Sequence, residues 1–115
     1  MNPNLKELHG QLIAQHQALN KQLDEITDVE MAKTILTEMQ EILHRIDVLQ
    51  SLLFRDTTAS LKNSLLKVSD ADRELTKALK AASTATDIIK GVGKFLSAVD
   101  KAIDLAKTLA PITGI

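Results

Sequence analysis

Cysteine is absent from the 115 residues, and so are tryptophan and tyrosine. Without thiols the chain can build no disulfide scaffold, no cysteine-ligated zinc site and no thiol chemistry. Phe54 and Phe95 are the whole aromatic content. That is thin provision for a small-molecule pocket or for stacking nucleic-acid bases. Neither sign of charge dominates, since 14 Lys and Arg stand against 15 Asp and Glu. A general nucleic-acid binder needs a basic excess, so nucleic acid is not an expected partner. No apolar run reaches the ~18–20 residues that cross a bilayer. The first residues show no basic segment leading into an apolar core, so no secretory leader is expected and the expected location is cytoplasmic.

What the chain does have is helical periodicity. Asn2 can cap a first helix with Pro3 at its opening position, where a missing N–H costs nothing. Leu5, Leu8, Leu12, Leu19, Leu23 and Ile26 then recur at helical spacing, which predicts a helix over 3–26. Thr27-Asp28-Val29-Glu30 reads as a capping box for the next. Ile35, Met39, Ile42, Ile46, Leu49 and Leu53 step by four and three, a heptad-like, coiled-coil seam that Met31, Leu36 and Leu43 broaden at its edges. Residues 55–60 carry no large apolar side chain, and the pattern returns out of phase at Leu61, Leu65 and Val68. With no Gly or Pro to stop it, the second helix is read as 28–68, with a kink or weak turn allowed at 55–60. The acid-rich Ser69–Glu74 reads as a third start, and the last helix as 70–110, closed by Pro111 with Gly114 in a short tail. Gly91 and Gly93 weaken this helix enough for a bend.

These lengths predict an all-α fold in a single domain, 1–115: an antiparallel bundle of three long helices, three-helix at one end and a two-helix hairpin at the other. After Gly93 the apolar face widens to take in Val92, Phe95, Leu96, Val99, Ala102, Ile103, Leu105, Ala106, Leu109 and Ala110, as a helix with two neighbours requires. The two-helix end would leave one side of its seam wet, and such surface marks an interface. Leu61, Leu65, Val68, Leu75, Leu79 and Ala82 are therefore the expected partner-binding residues. The small-residue run Ala81–Thr86 would let another helix come close. The expected partner is a second copy or another helical protein.

Candidate chemistry is sparse. Glu41-x-x-His44 is the local unit of a di-iron carboxylate bundle, but such a site needs a second unit and two further glutamates. Lys6 precedes His9 and Ile13 precedes His16 where a glutamate would be required, and His44 falls opposite the apolar seam. His16 lies within the first helix's stripe with His9 near its edge, and both read as core-edge histidines. No serine or threonine has the turn or histidine partner of a nucleophile, and Gly91-Val92-Gly93-Lys94 lacks the spacing of a phosphate loop. No metal, no cofactor and no enzymatic activity are expected. The expected function is a helical protein–protein interaction or assembly module, adaptor or chaperone-like.

Gly91-Val92-Gly93-Lys94-Phe95-Leu96 resembles the opening of magainin-type antimicrobial peptides, with Lys101 and Lys107 extending the likeness. Asp100 and Asp104 on the polar face depart from that family's strongly cationic pattern. The alternative function is membrane association, in which segment 91–110 inserts Phe95, Leu96, Val99 and Ile103 into lipid. The module reading instead expects those four residues to be buried in the free protein.

Overall fold

A computed structural model describes residues 2–82 and 84–111. They form four helices: α1 (Pro3–Asp24), α2 (Val29–Gln50), α3 (Ala59–Ala81) and α4 (Ala85–Lys107). The chain is all-α, but its helices are four of near-equal length, 22 or 23 residues each, rather than three of unequal length. Each begins at a side-chain cap. Asn2 accepts from the N–H groups of Asn4 and Leu5, Asp28 from Glu30, Thr58 from Leu61 and Thr84 from Asp87. Such caps satisfy backbone donors that the first turn leaves orphaned.

Two predicted boundaries move. The second helix does not continue to residue 68. It stops at Gln50, and Thr58 caps a new one. Ser69–Glu74 is no start at all, but lies mid-way along α3. Two of its three acids make side-chain pairs: Asp70 pairs with Arg73, and Asp72 accepts from Gln15. The predicted 70–110 helix breaks instead after Ala81, and Thr84 caps α4 without help from glycine or proline. Ser83 in the small-residue run and Gly114 in the predicted tail lie outside the described residues. Gly91 and Gly93 produce no break, and α4 runs through both.

Side-chain bonds set the arrangement. Asn4 reaches Thr57, Gln11 reaches Ser69, Gln15 reaches Asp72 and Thr76, and Gln22 reaches Leu79, so α1 and α3 lie side by side and parallel. Arg45 meets Asp100, and Arg55 meets the carbonyl of Leu109, so α2 and α4 are parallel too. Short turns make α1–α2 and α3–α4 antiparallel hairpins. The molecule is thus one helical hairpin stacked on another, and residues 51–58 cross one end on the diagonal from α2 to α3.

The second hairpin repeats the first. Buried Leu5, Leu12 and Leu19 return fifty-six positions later as buried Leu61, Val68 and Leu75. Buried Ile35, Ile42, Ile46 and Leu49 return fifty-seven later as buried Val92, Val99, Ile103 and Ala106. These residues form one continuous core with Phe95 at its largest. The wide apolar face of α4 does meet two helices, as its width requires, but they are α2 and α3.

The crossover is tied down at both flanks. Asn2, almost fully buried, donates its N–H to Leu53 O at 2.7 Å and its side-chain amide to Arg55 O at 2.9 Å while its oxygen caps α1. Asp56 N–H donates to Ala110 O at 2.8 Å, and the Arg55 guanidinium donates to Leu109 O at 2.8 Å. Asn2→Ala removes the cap and a buried crossover bond together, and should cost about 2 kcal/mol in urea unfolding. Asn2→Asp keeps the cap and should recover part of that loss.

The glycines of α4 differ in what surrounds them. A Cβ on Gly91 would lie 3.2 Å from Leu75 Cδ1 and 3.4 Å from Ala78 Cβ, whereas one on Gly93 would meet nothing within 4 Å. Gly93→Ala should therefore stabilise by about 1 kcal/mol through helix propensity alone. Gly91→Val should destabilise by about 1–3 kcal/mol, because its methyls overpack the α3/α4 contact. Urea titration of the two variants checks both signs.

Candidate functional site

The residues expected to bind a partner occupy the interior. Leu61, Val68, Leu75 and Leu79 are buried, and Leu65 and Ala82 are half-buried against the same core. The exposed two-helix end does not exist in this architecture. The break after Ala81 folds α4 back onto α3, and α1 covers the remaining side. Phe95, Leu96, Val99 and Ile103, the residues of the lipid-binding alternative, are also buried. Inserting them into a bilayer would require taking the core apart. No helix among the described residues is long and apolar enough to cross a membrane.

Polar side chains serve mainly as links between helices. Along the α1/α3 seam Gln15, 3% exposed, donates its amide to Asp72 Oδ1 at 2.8 Å and Thr76 Oγ1 at 3.0 Å. Its own carbonyl oxygen, and that of Gln22, are buried without a partner. Across the α2/α4 seam Arg45 holds Asp100 by two bonds, at 3.0 and 3.1 Å, and also pairs with Glu41 one turn back. These bonds to carboxylates push the Arg45 guanidinium further up, the Asp100 bond most of all. Glu41 thus turns to Arg45, while His44 is exposed. His9 and His16 are half-buried on α1, with the Nε2 of His9 buried and unbonded. Among the described residues no group of three or more His, Asp or Glu is placed to hold a metal ion.

The surface feature that stands out lies on the first hairpin. Val29, Leu36 and Leu43 recur every seven residues along α2 and are 66, 48 and 47% exposed. Heptad spacing aligns them in one row on the helix. The Asn2–Leu53 bond sets the level of α1 against α2, and at that register Ile13, itself 36% exposed, stands beside Ile42 and Leu43. On both helices these positions follow the buried heptad position by one residue, so they flank the outer groove between α1 and α2. The same row in the second hairpin, fifty-seven positions on, is Thr86, Gly93 and Asp100. Asp100 is paired with Arg45 of α2, while Thr86 and Gly93 are exposed.

Sequence periodicity placed Leu36 and Leu43 at the edge of a core seam, because a helix wheel cannot tell which flank has a neighbour. The seven-residue spacing of Val29, Leu36 and Leu43 was the available signal. Leu66 and Ile89, the exposed apolar residues of the second hairpin, sit on different helices at different levels and form no row. Compared with family models, curated proteins and solved structures, the chain shows no match.

One carboxyl on α2 has its pKa raised. Burial pushes Glu38 above the usual glutamate range and neighbouring Glu41 adds to this, while Arg45 opposes it. The folded chain then binds that proton more tightly than the unfolded chain. Its stabilising contribution is present in full below the ordinary glutamate pKa and is lost as pH rises through the raised one. Glu38→Gln should accordingly raise the thermal midpoint at neutral pH. The advantage should vanish in acid well below the carboxylate range, as a pH series of thermal melts will read.

Proposed function

We propose that this protein is a helical protein–protein interaction module, an adaptor or assembly element with no catalysis of its own, and that it works through the outer face of the α1/α2 hairpin. The observation that carries this reading is the exposed row Val29, Leu36 and Leu43 with Ile13 beside it. Single exposed apolar residues need no explanation, but an aligned row flanking an interhelical groove is what an amphipathic partner helix fits.

Leu36→Asp and Leu43→Asp test the reading, because both positions are half exposed and a charge there leaves the core alone. Folding, followed by circular dichroism and thermal midpoint, should be unchanged. Association with a partner recovered from the native host should weaken by at least about tenfold for each substitution, as for a central interface residue. Quantitative mass spectrometry of paired eluates, wild type against variant, reads the loss. Identical eluates, with self-association also unchanged, would overturn the proposal.

A further inference from the structure

We infer that the occupant of the α1/α2 outer face is the same face of a second copy. The two hairpins stack antiparallel, helix over helix, about a two-fold axis that crosses α2 at Gln40. This rests on the interaction-module reading and gives it a partner. The argument is charge complementarity. Lys33, Gln40 and Asp47 form an exposed row of their own on α2, next to the row of Leu36 and Leu43. Neither the Lys33 ammonium nor the Asp47 carboxylate has an ion-pair partner among the described residues. Laying a second α2 antiparallel over the first, Gln40 on Gln40, brings each Lys33 over the other copy's Asp47. The same overlay sets Leu36 of one copy against Leu43 of the other. An in-register parallel overlay would instead put lysine on lysine and aspartate on aspartate.

The first helix fits the same axis. The Asn2–Leu53 bond puts Gln40 level with about residues 13–15 of α1. An axis through that level brings Lys6 of each copy within a lysine's reach of Asp24 of the other, and Ile13 beside its own mate. Lys6 and Asp24 are exposed and likewise without an ion-pair partner within the chain among the described residues. Gly10 belongs to this face as well. A Cβ there would meet nothing within 4 Å, so the free chain gains no packing from a residue that weakens its helix. Close approach of another helix would use it. Because the contact is isologous, it saturates at two copies.

Sedimentation equilibrium of the full chain from micromolar to millimolar concentration tests this directly. The wild type should pass from 12.6 kDa to twice that mass. Lys33→Asp alone and Asp47→Lys alone each turn both attractive crossings repulsive, and should weaken dimerisation by about tenfold. An equimolar mixture of the two variants should recover wild-type affinity, because every crossing in the mixed dimer sets aspartate against lysine. Both sites are exposed, so unchanged thermal midpoints should show that folding is intact. A wild type that stays monomeric to millimolar concentration would overturn the inference, as would a mixture no tighter than its components. If the monomeric wild type still holds a host protein through Leu36, only the second-copy inference falls. If Leu36→Asp alters neither self-association nor capture, the module reading falls with it.

Discussion

The fold depends on how residues 51–58 cross one end of the bundle. A chain leaving α2 could turn back beside it and make an ordinary meander. Here it passes diagonally and starts α3 alongside α1. Asn2 holds that path, its side-chain oxygen serving α1 while its two nitrogens serve the crossover. The end of α4 closes over the other side through Arg55 and Asp56. Three helix termini and the crossover thus share one cluster of bonds. Once that cluster forms, α1 must run parallel to α3 and α2 parallel to α4, and the second hairpin can only stack on the first.

The seams between helices are built differently, and the difference follows composition. The α3/α4 seam is lined by Ala71, Ala78 and Gly91, small residues that let the two helices come close. The α1/α3 seam joins the two hairpins and carries Gln11, Gln15 and Gln22, each bonded to α3, with Asn4 bonded to Thr57 just before that helix. Buried amides contribute little net stability, and the orphaned oxygens of Gln15 and Gln22 subtract from it. Their bonding geometry does fix the register of one hairpin on the other, the use for which buried polar groups are best attested. Tight apolar packing holds each hairpin's partner, and hydrogen bonds set its level.

Local signals in the sequence proved readable wherever they were chemically specific. Asn2 with Pro3 announces α1, and the leucine and isoleucine seams of α1 and α2 announce their buried faces. What failed was the choice among caps of similar chemistry. Ser69 with Asp72 looks like a helix start, yet Thr84 is one, and neither has a glycine or proline nearby to decide. Joining the second half of α3 to α4 in one helix then created a two-helix end, and the site assigned to it fell on Leu61, Val68 and Leu75, which are core. The fifty-six- and fifty-seven-residue recurrence was present throughout but is carried by only seven apolar positions, of which four are changed in identity. Leu36 and Leu43 were visible as apolar and helical. Only the placement of α1 and α4 about α2 shows which flank of that seam is left open.

That open flank also constrains how copies can meet. If the α1/α2 outer face of one molecule stacked on the α3/α4 outer face of the next, every copy would retain a free face and assembly would not close. The α3/α4 outer face is poorly suited to that contact. Its groove beside Ala78 and Gly91 is bordered by Glu74, Asp87, Lys90 and Lys94. The α1/α2 face has its lysines and aspartates placed symmetrically about its own middle, so it complements itself. A second copy inverted on the first would cover the row of Leu36 and Leu43 and leave both charge-bordered α3/α4 faces outside.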